Sequence, residues 1–169
     1  ILADSNHCYG VVVRDKDNKL RNLYAHFTIF ATGGIGGLYE KSTNYPHLTG
    51  DAIAIAIRHN IRLKNINYIQ IHPTALYTEL PGRAFLISES VRGEGAVLLD
   101  KEGNRFTDEL QARDIVAKKI HEQMYKNNTK HVWLYLDGHV KGDIAKRFPS
   151  IYERCLQEGY DITKDRIPV

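Results

Sequence analysis

The amino-acid sequence predicts an α+β fold, in which extended segments and helices occupy separate stretches of the chain. Two runs rich in β-branched and apolar residues, at 9–15 and 20–32, come first. Patterns typical of helices then begin near residues 49, 113 and 151. With 169 residues, 43% of them hydrophobic, the chain can bury a core as one domain or as parts of two.

The charge and the cysteine content argue against several classes of protein. A formal net charge of +3, with dispersed basic residues, gives no indication of a nucleic-acid-binding surface. Cys8 and Cys155 lie far apart without CxxC or metal-ligand spacing, and His121, His131 and His139 form no metal pattern. We therefore expect two reduced thiols, no metal site and a cytoplasmic protein. No apolar run approaches the roughly 18 residues of a membrane helix, so no membrane association is expected.

The two ends of the chain resemble cut ends. The sequence begins at Ile1 without an initiator Met and stops after the run IPV. We therefore expect an excised piece of a larger protein, with components of a functional site missing from both ends and apolar surface left exposed.

The first segment is predicted to form a strand, a turn and a second strand that enters a Gly-rich loop. The run DKDNK at 15–19 supplies the turn, and the second extended run ends at Gly33. The glycines at 33, 34, 36 and 37 would allow a backbone to approach the phosphates or sugar of a ligand. A flexible turn is the alternative, because the GxGxxG motif with a following acidic residue is absent.

A helix and a strand are predicted to follow the Gly-rich loop. Thr49 is suited to cap a helix over 49–60 with Asp51 in its first turn, although the Ile alternation leaves a strand possible. Residues 65–72 alternate as a strand that Pro73 would end. His72 and Thr74 would then project from the end of a strand, where α/β folds commonly place ligand groups.

Three short runs concentrate polar and charged residues around Gly and Pro turns: HPTALY at 72–77, SESVRGEG at 88–95 and ARDIVAK at 112–118. They indicate a site for an anionic substrate. Arg113 opens a predicted helix, where the dipole disfavours a cation unless an anion needs it. Its guanidinium can bind a carboxylate through two parallel hydrogen bonds.

A helix is also predicted to begin near Ser88, where free N–H groups and the Ser hydroxyl would hold a carboxylate. Glu89 and Arg92 are three residues apart and can pair on one face of this helix. The alternative is that these charges, with Glu94, only hold the loop together. Further along, 131–137 is predicted as a core strand and 151–160 as an amphipathic helix that stops at Gly159.

The order and spacing of these runs resemble one known family over nearly the whole chain. The runs are ATGG, TGDAIAIA, QIHPTALY, FLISESVRGEGAVLL, RF and ARDIVAK. They are similar to the flavoprotein family that contains succinate dehydrogenase, fumarate reductase and L-aspartate oxidase. RDIVAK, the C-terminal run and Ala75, where the succinate and fumarate enzymes tend to carry Gly, resemble the L-aspartate oxidase branch most closely.

The resemblance implies that this α+β chain comprises the end of a Rossmann-like FAD-binding domain, residues 1–64, and most of an α+β capping domain, residues 65–169. It also implies noncovalent FAD, whose main GxGxxG motif lies outside this chain. We therefore expect that the piece alone neither holds FAD firmly nor turns over substrate. The resemblance implies these cofactor-binding residues: Thr32, Gly33, Gly34, Thr43, Asn44, Gly50 and Asp51.

The resemblance further implies oxidation of L-aspartate to iminoaspartate, with oxygen or fumarate as electron acceptor and quinolinate synthase as a possible partner in the NAD biosynthetic pathway. Arg113 would transfer a proton, with Glu89 as a possible relay towards it. His72 would bind a substrate carboxylate, and Ser88 stands where the family commonly has Thr. The resemblance implies these substrate-binding residues: His72, Gln70, Thr74 and Ser88.

Two other interpretations stay open at this point. One is the flavoprotein subunit of a fumarate reductase or succinate dehydrogenase, which would need iron–sulfur partners. The other is a noncatalytic ligand-binding cap module.

Overall fold

The computed structural model describes residues 1–169 as two compact units. The first unit comprises Ile1–Leu38 and Pro46–Ile66, and the second comprises Tyr39–Tyr45 and Asn67–Val169. Each unit contains a three-stranded antiparallel sheet together with helices, so the predicted α+β class is confirmed. No helix is long and apolar enough to cross a membrane.

The first unit begins with the predicted strand–turn–strand. Strands β1 (Leu2–Ala3), β2 (Cys8–Arg14) and β3 (Leu20–Tyr24) form the sheet in that order. The turn between β2 and β3 is held by the carboxylate of Asp15, which accepts the N–H groups of Asp17 and Lys19 at 2.9 Å each. A short carboxylate bonded to nearby backbone is the turn chemistry that the sequence indicated.

The second predicted strand is shorter than its sequence pattern. The pattern extends to residue 32, but β3 ends at Tyr24, and no strand covers residues 25–35. Phe27 and Ile29 are each 88% exposed. A strand needs a neighbour for its backbone N–H and C=O groups, and residues 27–34 make no backbone hydrogen bond within this chain.

Helix α1 (Asp51–Arg58) confirms the helical alternative for the segment after the Gly-rich loop. Its N-cap is Gly50 in a left-handed conformation, with φ 84°, and no side chain caps it. The predicted cap was therefore wrong. The hydroxyl of Thr49 donates to the carboxylate of Asp51 at 3.0 Å instead of accepting a backbone N–H of the helix.

The second unit is built on the sheet β4 (Val97–Leu99), β5 (Trp133–Tyr135) and β6 (Ile167–Pro168), with β5 in the centre. Four helices belong to it: α2 (Glu89–Gly93), α3 (Arg113–Asn127), α4 (Ile144–Arg147) and α5 (Pro149–Gln157). These confirm the helices predicted near residues 88, 113 and 151 and the strand within 131–137. The fully buried core includes Ile87, Leu98, Val116, Leu134, Cys155 and Ile167.

The strand predicted over 65–72 is absent. These residues have no regular secondary structure, and no backbone–backbone hydrogen bond involves residues 65–73. Tyr68 and Ile71 are exposed. The alternating pattern is present, but no strand of this chain pairs with it, so the prediction that His72 and Thr74 follow a strand end was wrong.

The two cysteines are free thiols in different surroundings. Cys8 is half-buried, with its sulfur 3.5 Å from the hydroxyl of Thr28. Burial raises the pKa of Cys155 to about 11, so this thiol stays protonated and unreactive at neutral pH.

We predict that Leu134→Ala destabilises this chain by about 2–5 kcal/mol, because it leaves a cavity at the centre of the second sheet. Leu134 is 0% exposed on β5, whereas Leu110 is 71% exposed, so Leu110→Ala should change the free energy of unfolding by no more than about 0.5 kcal/mol. Urea unfolding followed by the fluorescence of Trp133, the only tryptophan, measures both. Equal midpoints for the two variants would contradict this description of the core.

Candidate active site

The first turns of α3 and α2 bring Arg113 and Glu89 into contact. Arg113 Nε and Nη2 donate to Glu89 Oε2 at 2.8 and 2.5 Å, and Arg113 Nη1 donates to Gln70 Oε1 at 2.7 Å. These bonds use three of the five N–H donors of the guanidinium. Because the side chains of Arg113 and Glu89 are 38% and 49% exposed, the remaining donors are available to a ligand.

Glu89 lies between two cations. Arg92 Nη2 is 3.8 Å from its Oε1, on the other side from Arg113. The hydrogen bonds from Arg113 lower the pKa of Glu89, and the positive charges of Arg113 and Arg92 act in the same direction. Glu89 is therefore an ionised carboxylate at neutral pH, and in this form it orients Arg113.

Arg92 is a buried charge, with only 2% of the residue exposed. Its Nη1 donates to the carbonyl oxygen of Glu109 at 2.5 Å, whereas Nε and Nη2 are buried without a hydrogen-bond partner. Burial lowers the pKa of Arg92, and the charges of Glu89 and Glu109 oppose that shift. Arg92 is thus a buried cation next to the partly exposed Glu89.

Glu109 was not among the residues predicted from the sequence. Its buried carboxylate accepts the backbone N–H of Leu98 at 2.7 Å and pairs with Arg105 at 2.6 Å. It therefore joins the loop before α3 to strand β4. The spacing of four residues between Arg105 and Glu109 was the only available signal.

His72 is half-buried and neutral at neutral pH. Burial lowers the pKa of His72 most, and the positive charges of Arg113 and Arg92 lower it further. Its Nδ1 lies 3.2 Å from both the backbone nitrogen and the carbonyl oxygen of Thr74, so it accepts from the N–H or donates to the carbonyl according to the tautomer. When Nδ1 accepts this N–H, the ring proton is on Nε2, which can donate to an anionic ligand.

Thr74 and Ser88 are engaged in local structure. Thr74 is fully buried, and its hydroxyl donates to the carbonyl of Ile87 at 3.0 Å. Ser88 is the N-cap of α2 and accepts the N–H of Ser90 at 3.3 Å. Direct contact of Thr74 with a ligand would require its hydroxyl to be shared, whereas the proton of the Ser88 hydroxyl can still be donated.

A cleft of about 970 Å³ separates residues 67–73 from α3, and Gln70 and His72 both line it. Its apolar wall includes Ile69, Ile71, Ile120 and Met124. The structure therefore brings together Gln70, Glu89 and Arg113 by direct hydrogen bonds and places His72 in the same cleft as Gln70. No three His, Cys, Asp or Glu side chains are grouped as a metal site.

Comparisons with known proteins relate this arrangement to a family. The model of the family described as "FAD binding domain" matches residues 1–169. The chain belongs to this FAD-binding family. It is 52% identical to the L-aspartate oxidase of Clostridium perfringens and 49% identical to that of Clostridium acetobutylicum, in each case over 100% of its own length. It spans 38% and 39% of these relatives.

Solved structures give a second comparison for this member of the FAD-binding family. The chain superposes on a variant of the Escherichia coli quinol fumarate reductase with a TM-score of 0.80 and 30% identity. The match covers 98% of this chain and 32% of that one. A quinol-fumarate reductase with menaquinol molecules gives a TM-score of 0.76 and 28% identity, over 99% of this chain and 33% of the other.

In the first unit, the residues predicted to contact FAD differ in how much room they leave. Gly33 and Gly34 are exposed. Gly33 has φ 79°, and a Cβ on it would lie 3.0 Å from Leu48 Cδ2, whereas a Cβ on Gly34 would meet no atom within 4 Å. Thr32 beside them is also exposed. By contrast, a Cβ on Gly50 would lie 2.7 Å from Ile35 Cγ2, so Gly50 serves internal packing. The 32–34 backbone therefore fits the close approach of a cofactor.

Asp51 and the pair Thr43–Asn44 have different surroundings. Asp51 is exposed but already accepts the hydroxyl of Thr49. In the second unit, the carbonyl of Thr43 accepts a hydrogen bond from Arg83, and the N–H of Asn44 donates to Ser42 Oγ at 3.1 Å. These bonds leave the exposed side-chain amide of Asn44 available to a polar cofactor.

Proposed function

We propose that this chain provides part of an FAD-dependent L-aspartate oxidase, which converts L-aspartate to iminoaspartate. The observation that carries the proposal is the identity of 52% and 49% to two L-aspartate oxidases along the entire chain. In this proposal residues 1–64 are the end of a Rossmann-like FAD-binding domain, and residues 65–169 form most of the capping domain. We also propose a cytoplasmic location.

Arg113 is the proposed ligand of one substrate carboxylate. Two N–H donors of its guanidinium remain after the bonds to Glu89 and Gln70, which fix its plane. A cation held at the first turn of a helix is favourable there when an anion occupies the site. Arg113 would therefore fix the position of the dicarboxylate and supply the proximity that the reaction requires.

Glu89 is the proposed proton carrier. The oxidation removes a hydride from C2 of L-aspartate and a proton from its amino nitrogen, so a basic group near the substrate is needed. Glu89 is ionised and hydrogen-bonded to Arg113, and it can accept a proton that the hydrogen-bonded network passes on. In this proposal the proton passes through Arg113, to which Glu89 is hydrogen-bonded.

The second carboxylate of the substrate is assigned to the other predicted residues. His72 would donate through Nε2, and Gln70 would keep its amide N–H₂ available while its oxygen accepts from Arg113. Ser88 would contribute its hydroxyl proton. Thr74, which is buried, would support His72 by holding the 72–75 turn against Ile87.

Bound FAD would supply the acceptor for the two electrons of the hydride. Thr32, Gly33 and Gly34 are proposed to contact it through their exposed backbone, as are Thr43 and Asn44 through side-chain groups. At the start of α1, Asp51 is a proposed contact through its exposed carboxylate, and Gly50, which is packed against Ile35, is a proposed contact through its backbone. Oxygen or fumarate would then take the electrons, and quinolinate synthase is the proposed consumer of iminoaspartate.

Hydrogen peroxide formation by the purified full-length parent protein tests this function. We expect formation that requires both L-aspartate and FAD, and none with succinate in place of aspartate. Succinate oxidation without turnover of aspartate would contradict the proposal.

A fumarate reductase flavoprotein is the second candidate, and the TM-score of 0.80 with the Escherichia coli enzyme favours it. Arg113, His72 and Gln70, which are the proposed ligands of the aspartate carboxylates, would hold succinate or fumarate in the same way. Reduction of fumarate by the parent protein with an artificial electron donor, combined with no activity on aspartate, would support this candidate. A parent protein that binds dicarboxylates without any turnover would instead support a noncatalytic cap module.

A further inference from the structure

The segment Tyr39–Tyr45 belongs to the second unit, although the residues on both sides of it in the sequence belong to the first. Three polar contacts hold it to the loop at 78–84. Ala84 donates its N–H to the carbonyl of Ser42 at 2.8 Å, and Lys41 Nζ donates to the carbonyl of Thr78 at 2.8 Å. Arg83 makes the third contact.

Arg83 reaches the segment with both the edge and the face of its guanidinium. Its Nε donates to the carbonyl oxygen of Thr43 at 2.5 Å, and its Cζ lies 4.4 Å from the centre of the Tyr45 ring. Only a planar guanidinium can combine a hydrogen bond of this kind with stacking on an aromatic face, so Lys is not equivalent here.

The loop that carries Arg83 is anchored in the core of the second unit. Leu76 donates its N–H to the carbonyl of Phe85 at 2.8 Å, and Ile87 donates to that of Thr74 at 3.1 Å. Leu76 and Ile87 are both buried. Arg83 thus connects Thr43 to the buried core of the second unit.

We propose that Arg83 is a positioning residue for FAD, which holds Thr43 and Asn44 in the arrangement that they take with the cofactor. This inference rests on the proposed function, in which Thr43 and Asn44 contact FAD. Without Arg83 the contacts of Lys41 and Ser42 would remain, but Thr43 and Tyr45 would lose theirs with Arg83, and the conformational entropy of ordering this end of the segment would weaken FAD binding. Arg83 itself need not contact FAD or substrate.

The test uses the full-length parent protein with Arg83→Gln, Arg83→Lys and the control Arg62→Gln. Arg62 is exposed and makes no described side-chain contact. We expect the Kd for FAD to rise about tenfold in both Arg83 variants, which is the size of effect that the loss of one charge-assisted hydrogen bond gives. In the control the Kd should stay within about twofold of the unsubstituted value. With saturating FAD, kcat and the KM for aspartate should match those of the unsubstituted protein.

Hydrogen exchange provides a readout that does not depend on activity. Deuterium uptake of residues 39–45 should be faster in Arg83→Gln, with the melting temperature of the protein unchanged. An unchanged Kd for FAD in this variant, or an equal rise in Arg62→Gln, would overturn the inference while the proposed function stands. If the unsubstituted parent protein bound no FAD, the proposed function and this inference would both fail.

Discussion

Replacement of Arg113 by Leu should lower kcat for L-aspartate by at least about 10³-fold while FAD remains bound. Leu fills a similar volume but cannot bind a carboxylate, so the substrate loses the charged contact that holds it in reacting position. The change also leaves Glu89 and Gln70 without their shared partner. Steady-state rates with aspartate, together with the flavin absorbance of the purified variant, measure both parts of the prediction.

Arg154→Leu is the matched control for this variant. Arg154 also forms an ion pair with a glutamate, Glu158, at 2.6 Å, but at the C-terminal end of α5, where both residues are partly exposed. Neither residue belongs to the candidate site, so kcat of Arg154→Leu should stay within about twofold of the unsubstituted value. Near-normal turnover in Arg113→Leu would exclude the assigned role, whereas loss of FAD from the variant would show a structural one.

Glu89→Gln should lower kcat by about 10²-fold, with little change in the KM for aspartate. An amide keeps the size of the side chain and can still accept from Arg113, but it cannot take up a proton at neutral pH. Glu153→Gln, an exposed position with no described contact, should leave kcat unchanged. A fall in kcat equal in both variants would contradict the specific role of Glu89.

The pH dependence of the Arg113–Glu89 pair follows from the direction of the shift. Because hydrogen bonds from Arg113 lower the pKa of Glu89, its stabilising contribution is present above the unfolded pKa, near the ordinary value of 4.5. The contribution is lost as pH falls through the lowered folded pKa. The free energy of unfolding of Glu89→Gln should therefore not show this loss of stability at acidic pH.

The helices and the hairpin could be predicted because their signals are local. The helical pattern that begins near residue 113 predicted α3, and the turn residues at 15–19 predicted the hairpin. The extended run at 20–32 forms a strand only over Leu20–Tyr24, and the alternating run at 65–72 forms none. A ladder depends on a distant partner, and the alternation itself contains no information about that partner.

The candidate site was also predictable only where its signals are local in the sequence. The motif runs and the unusual cation at the start of a helix pointed to Arg113 and Glu89, which the structure brings together across 24 residues of sequence. The burial of Arg92 and the contact from Arg83 to Thr43 are tertiary features. Nothing in the sequence near Arg83 distinguishes it from an ordinary surface charge, and the only signal at Glu109 is its spacing of four residues from Arg105.

The central claim is that this site belongs to an enzyme that oxidises L-aspartate. The most direct measurement is the anaerobic reduction of the flavin bound to the full-length parent protein, because this half-reaction does not depend on the electron acceptor. L-aspartate should bleach the visible flavin absorbance, succinate should not, and Arg113→Leu should remain oxidised with aspartate. Bleaching by succinate but not by L-aspartate would contradict the proposed function.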